Sequence, residues 1–294
     1  GIIGRKLVAE LLQSKIHQKG NSRKYKLRIL TRKTQSINFK KSDIELVHGD
    51  LLDLNSLLNA TKNIEIAVHL AGITHTNNQS LYYKVNTQGT NNLLKACQSN
   101  KVIKFIYISS SAACCDGSAY SKSKLLAEKK VEQSSLNWLI LRLSEVYGAG
   151  DKETISTLIN IIKKSYLIPV IGSGNYSLCP VYVDDVTRAI VNCMDNDGIM
   201  KKKYLVAGPE EMTYNEIVNR LIKILKVRRL KIYLPLFFIK FLTFVFSIFN
   251  NNKLVKDQLP RLLCKKSADI SSARRDISFN PRNFEIGIRN MLNL

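Results

Sequence analysis

"KFIYISSSAACCDGSAYSKSKLLAEKKVEQ", residues 104–133, runs from an apolar stretch through three serines and two cysteines into a lysine-rich segment. Its opening, Lys104 to Ser110, is apolar with little polar alternation, as in a strand of a parallel sheet covered on both faces. Its second half reads as a helix, where Tyr120 and Lys124 stand one turn apart on a common face. A hydroxyl at a strand end, followed by a tyrosine and a lysine at the start of the next helix, can form a proton-transfer centre. Tyr-x-x-x-Lys alone is a weak pattern, and a surface tyrosine on a basic helix is the plain alternative. The surrounding sequence has to decide.

Outward from this unit the same rhythm continues. "KLRILTR", "IELVHGD" and "IAVHLAG" precede it as strand candidates, "NWLILRLSEVYG" follows it, and "TQGTNNLLKACQ" lies between as a helix. Strands alternating with helices predict βαβ units and a parallel sheet. The chain opens with "GIIGRKLVAELL", a turn leading into a helix with Leu7, Val8, Leu11 and Leu12 on one face. Glycines three apart there let backbone approach a pyrophosphate at a helix N-terminus. After about residue 150 helical stretches dominate, interrupted by "IGSGNYS" and "CPVYVDD". The expected organisation is a nucleotide-binding domain over residues 1–165 and a smaller substrate-binding lobe over 166–294, interwoven with it.

Composition bounds the function classes. With 294 residues, 45% hydrophobic and 23% charged, the chain is that of a soluble globular protein long enough for a substantial core. The net charge of +22 raises nucleic acid or an anionic membrane as a partner. Runs such as Lys201-Lys202-Lys203 and Arg228-Arg229 are short and lack interleaved aromatics, so nucleic-acid binding is not the expected main function. Six cysteines, two of them adjacent at 114 and 115, and four scattered histidines show no metal-ligand spacing. No metal is expected, and reduced thiols point to a cytoplasmic protein. The apolar run "YLPLFFIKFLTFVFSIF", 233–249, would extend only about 25 Å as a helix and carries Lys240 at its middle. It reads as a core or interfacial helix, leaving peripheral membrane contact open.

These motifs, in this order, resemble the extended short-chain dehydrogenases/reductases of the NAD(P)-dependent epimerase/dehydratase type, over essentially the entire chain. The resemblance implies a Rossmann-type doubly wound parallel sheet with a small C-terminal substrate-binding lobe, α/β in class. That family begins with a strand and a Gly-x-x-Gly-x-x-Gly turn. Gly1 and Gly4, with Ile2 and Ile3 between them, match its second and third glycines. The first strand and first glycine are absent from this sequence, and the expectation is that it is truncated or that residues before Gly1 were not determined. "VHGDLLD" matches the adenine-binding segment, placing Asp50 and Leu51 there. "VHLAG" puts Ala71 and Gly72 beneath the cofactor, and "VNTQGTNNLLKAC" makes Asn86 a structural, cofactor-proximal residue. "LRLSEVYGAGD" places Leu143 and Val146 by the nicotinamide carboxamide, with Leu143 and Ala149 where prolines are frequent. "DISSARRDISFNP" matches a C-terminal family segment, with Ser278 where glycine is usual. Thr31 closes the strand where NAD enzymes carry a carboxylate, and Arg32 follows, which favours NADP over NAD.

By the same resemblance Ser110 is the catalytic hydroxyl, with Ser109 and Ser111 as alternatives, and Tyr120 and Lys124 complete the centre. Hydride transfer at a carbinol carbon needs proton transfer at its oxygen, and Lys124 would favour the Tyr120 phenolate while also bonding the nicotinamide ribose. Ser110 would hold the substrate oxygen. Candidate substrate contacts are Ser110, His75, Asn175 and Arg261. A pyrophosphate-gripping arginine common in nucleotide-sugar enzymes is replaced by Leu178. The expected activity is oxidation, reduction or epimerisation at a carbinol or keto carbon, on a nucleotide-activated sugar for surface polysaccharide. The alternatives are a reductase or isomerase of an apolar, steroid- or flavonol-like alcohol, and a non-catalytic cofactor-binding assembly or RNA-binding protein. A homodimer is compatible with the family and has no independent sign in the chain.

Overall fold

A computed structural model of the chain describes residues 1–16, 25–32, 44–150, 154–237 and 268–294. Arg261 and the apolar run beyond Phe237 lie outside the described residues. In the first half, helix α1 (Ile2–Ile16) precedes strands β1 (Leu27–Thr31) and β2 (Ile44–His48), helix α2 (Leu54–Ala60) and strand β3 (Ile66–His69). Helix α3 (Gln79–Tyr82) then passes through a π-helical turn, Tyr83–Gln88, into α4 (Gly89–Ser99). Strand β4 (Lys104–Ser110), helix α5 (Ala119–Glu132) and strand β5 (Asn137–Leu143) follow. The second half holds β6 (Val146–Tyr147), α6 (Thr154–Lys164), β7 (Leu167–Ile171), β8 (Ser177–Leu178), β9 (Val181–Tyr182) and α7 (Val183–Asp195). It continues with β10 (Lys202–Val206), β11 (Met212–Thr213), α8 (Tyr214–Ile224), β12 (Leu230–Leu234), α9 (Ser271–Ile277) and α10 (Phe284–Leu292).

The main sheet is parallel, in the order β10-β5-β4-β3, and β1 pairs with β2, also parallel. Helices cover both faces, the arrangement of a Rossmann-type doubly wound α/β fold. Why β4 lacks polar alternation is visible in its packing. Ile106 and Ile108 enter one core with Leu139, Leu141, Leu7 and Leu11. Phe105 and Tyr107 enter the opposite one with Trp138, Ile140, Leu94 and Val131. Each such side chain contributes roughly 1.5–3 kcal/mol by leaving water. Among the described residues no strand pairs β1 with β3, so the sheet stands in two blocks. Leu27 and Val68, one from each block, nevertheless pack on the same core.

Lys104 ties β4 to α7. Its Nζ donates to the carbonyls of Cys193, Met194 and Asn196 at 3.0–3.1 Å and to the Asp197 carboxylate at 3.2 Å. A cation on the last carbonyls of a helix complements its dipole and its unpaired acceptors. A second core gathers Ile155, Leu158, Ile162, Ile168, Val218, Leu221 and Phe284, so α6, β7, α8 and α10 form their own packed unit beside the sheet.

Candidate active site

The pleat of β4 separates the serines. Ser109 donates to Glu128 Oε1 at 2.5 Å, and the same carboxylate, fully buried, receives Arg142 through Nη2 at 2.5 Å and Nε at 2.9 Å. Ser109 is thereby committed to a charge-assisted network. Successive side chains of a strand point to opposite faces, so Ser110 projects away from it. Ser110 Oγ is half-buried and accepts the Ala112 N–H at 3.2 Å, a bond that does not spend its own proton.

Ser118 caps α5 by accepting from the Ser121 N–H. Two positions later Tyr120 is buried, its ring edge-on to Tyr82 with centroids 5.8 Å apart. One turn on, Lys124 is buried as well. Its Nζ donates to the Ile108 carbonyl at 2.7 Å and lies 4.2 Å from the centroid of the Tyr107 ring. Burial drives its pKa down to about 7, partly opposed by the negative charge of Glu128.

Asn86 lies in the π-helical turn and closes the site from the other side. Its Oδ1 accepts the Ile73 N–H at 2.8 Å, while Nδ2 donates to Ile73 O at 3.0 Å and to Ser123 Oγ at 3.1 Å. It therefore fastens the loop after β3 to the helix that carries Tyr120 and Lys124. A π-turn at such a junction is a recurrent feature of functional sites. A Cβ on Gly72 would stand 3.1 Å from Asn86 Oδ1, so glycine keeps that loop close.

Beneath lies His69, fully buried beside Tyr107. Thr90 Oγ1 spends its proton on Asn86 O at 2.6 Å, so it accepts from His69 Nε2–H at 2.9 Å, which fixes the neutral tautomer. Burial first, then the Lys124 charge, pushes the His69 pKa from 6.5 to about 3. Between these values only the unfolded chain binds the proton, so stability falls as pH drops below about 6.5. Urea midpoints should therefore decline between pH 6.5 and 4, with roughly 3 kcal/mol attributable to His69. In His69→Gln that acid slope should flatten; an unchanged slope would remove His69 from the cause.

The start of α1 forms the opposite end of the site. A Cβ on Gly1 would meet nothing within 4 Å and one on Gly4 only Leu70 Cδ1 at 3.7 Å, while α1 has no acidic residue in its first turn. Ile2 and Ile3 are half-buried at this terminus, and Ala71 and Gly72 are exposed after β3. Asp50 accepts the Leu52 N–H at 2.8 Å and lies 3.9 Å from Arg32 Nη1, whose side chain is 79% exposed. Leu51 is buried beneath them. The start of α1, the Asp50–Arg32 edge and the buried Lys124 together offer groups that fit a dinucleotide.

The remaining candidates divide. Leu143 is buried, opposite Ser110 in the β4–β5 register, and Val146 is half-buried opposite Val181. His75 is exposed with Nδ1 2.9 Å from Thr74 Oγ1. Asn175 sits in an exposed turn between the positive-φ Gly172 and Gly174 and β8, accepting from Asn215 at 3.2 Å. Leu178 is buried in the second core. Two pairings escaped the sequence reading. Glu128 is one; its signal was an acid four positions after Lys124 in a basic helix. The other is Asp185, which grips Arg282 through Nη2 at 2.8 Å and Nε at 3.0 Å and so anchors the "FNPR" segment. Among the described residues no group of His, Cys, Asp and Glu could hold a metal ion.

With this geometry in hand, three comparisons bear on it. The model of the NAD dependent epimerase/dehydratase family matches residues 1–207. A UDP-glucose 4-epimerase of Vibrio cholerae is 25% identical over 75% of the chain and 73% of its own length. Sterol-4-alpha-carboxylate 3-dehydrogenase erg26, decarboxylating, of Schizosaccharomyces pombe is 27% identical over 45% of the chain and 44% of its own length. The chain spans about half the length of the first curated relatives it matches, 44%, 40% and 61%. A solved UDP-glucuronic acid 4-epimerase from Bacillus cereus, in complex with UDP-glucuronic acid and NAD, superposes with a TM-score of 0.77 at 22% identity, covering 100% of this chain and 95% of that one.

Proposed function

The chain belongs to the NAD dependent epimerase/dehydratase family, and from that premise we propose an NAD(P)-dependent oxidoreductase or epimerase acting at a carbinol or keto carbon of a nucleotide-activated sugar. Surface polysaccharide synthesis is the proposed setting. The observation that carries the reading is the buried pair on α5: Tyr120, and Lys124 one turn later with its Nζ on Ile108 O at the end of β4. The cofactor, when bound, supplies or takes up the hydride. Tyr120 Oη gives or accepts the proton at the substrate oxygen, Lys124 favours its phenolate form, and Ser110 holds that oxygen. Gly1, Gly4 and the start of α1 would take the pyrophosphate, and Asp50 the adenine.

NADP is favoured over NAD. Thr31 leaves β1 without a terminal carboxylate, and Arg32 extends into solvent beside it. Arg32→Ala should weaken NADPH binding about tenfold, the scale of one charge-assisted contact in an exposed position, and leave NADH nearly unchanged. Fluorescence titration of both cofactors reads this; equal loss for both would turn the preference to NAD. The activity itself is tested by turnover on a panel of UDP- and GDP-sugars. Saturable cofactor binding with no turnover on the panel would defeat the nucleotide-sugar assignment.

A second reading, an apolar alcohol substrate, is favoured by the likeness to the erg26 dehydrogenase and by Leu178 standing where an arginine would grip a pyrophosphate. Turnover of a hydroxysteroid without turnover of any nucleotide sugar would select it. Salt-sensitive RNA binding surviving Tyr120→Phe would instead select the non-catalytic alternative.

A further inference from the structure

The second core presents an outer face that the proposed chemistry does not use. Strands β7 and β12 pair in parallel, with Leu167 opposite Leu230 and Pro169 opposite Ile232. On β7 the alternation is apolar on both sides, whereas β12 places Lys231 opposite Ile168. Ile168 and Val170 point inward and are fully buried, while Leu167, Leu230 and Ile232 stand 44%, 55% and 40% exposed. At its two ends Tyr166 and Phe237 are more exposed still. Around this stripe the charge is of one sign. Residues 154–171 and 221–237 hold two and five lysines or arginines respectively, and no aspartate or glutamate. Lys163 and Lys164 close α6 and Arg228 precedes β12, all three exposed.

We propose that this face is a lipid-binding surface that rests on an anionic bilayer, its aliphatic and aromatic side chains entering the headgroup boundary and its cations meeting the lipid phosphates. This proposal is independent of the substrate assignment. No helix of the described residues is long and apolar enough to cross a membrane, and the contact proposed for this face is a peripheral one. The charge argues against the other occupants. A second copy docked through the same face would oppose its exposed cations, Lys163, Lys164 and Arg228, to their own copies. Nucleic acid would leave the exposed leucines and isoleucine without partners, since stacking needs aromatic platforms. Anionic lipid satisfies both components at once.

The test is sedimentation of the whole protein with vesicles of phosphatidylglycerol and phosphatidylcholine, against vesicles of phosphatidylcholine alone. Binding should require the anionic lipid. Leu167→Ser with Leu230→Ser and Ile232→Ser, all exposed and so compatible with folding, should weaken it about tenfold or more. Lys163→Glu with Lys164→Glu and Arg228→Glu should do so at least as strongly. As a control, Lys95→Glu with Lys101→Glu, on and just beyond α4, should leave it within about twofold. Three results would overturn the proposal: no binding to anionic vesicles at low salt, binding indifferent to the serine variants, or equal loss with the control pair. A dimer in solution that dissociates on the serine substitutions would reassign the face to a second copy.

Discussion

Tyr120→Phe is expected to lower kcat by about 10²- to 10⁴-fold, the range that one positioned proton donor contributes, while leaving the fold and cofactor affinity nearly intact. The substitution isolates the hydroxyl. The ring of Tyr120 is buried with its edge against Tyr82, and phenylalanine keeps that packing. The proton at the substrate oxygen then lacks the phenol that would exchange with it directly. Lys124→Met provides the companion result. It should reduce kcat to a similar depth and also weaken the cofactor, because the same ammonium would bond the nicotinamide ribose. Turnover and cofactor titration measured on both variants separate the two roles. A Tyr120→Phe enzyme turning over within threefold of wild type would remove Tyr120 from the chemistry.

Much of this centre was legible in the chain because its determinants are local. A short unalternating apolar run between helices reads as a strand buried on both faces, and β4 places Ile106 and Phe105 in opposite cores accordingly. Tyr120 and Lys124 share a helical face by spacing alone. What could not be read depended on partners distant in sequence. The choice of Ser110 over Ser109 and Ser111 rests on the resemblance alone, since the bond of Ser109 to Glu128, 19 residues away, has no local signal. The depressed basicity of Lys124 and His69 follows from burial that no spacing announces. The exposed stripe on β7 and β12 was hidden for the opposite reason. β7 is apolar at every position, so periodicity gave no sign of which of its faces the second core would leave in water.

Glu128→Ala is expected to be among the most destabilising single substitutions in this chain. The carboxylate is fully buried and satisfied by Ser109 Oγ, by two nitrogens of Arg142 and, at 4.0 Å, by Lys203. These partners come from β4, β5 and β10, so one side chain joins the helix of the centre to three strands. Removing it deprives the half-buried Arg142 guanidinium of its hydrogen-bonded partner and leaves it only the longer-range charge of Glu132. Breaking a buried pair costs about 3–5 kcal/mol; the partial exposure of Arg142 favours the lower end, so roughly 6–12 °C in Tm is expected. Glu128→Gln should cost less, because an amide oxygen can still accept from Ser109. Its distinctive effect is electrostatic. Glu128 raises the Lys124 pKa against the desolvation that lowers it, so loss of the charge lowers that pKa further below 7. The ammonium form then disappears at lower pH, and the alkaline limb of the rate profile should move to more acidic values. Thermal melts of both variants with a pH–rate profile of Glu128→Gln decide the matter. An unmoved alkaline limb would confine Glu128 to holding the strands, and an unchanged Tm in Glu128→Ala would deny it even that.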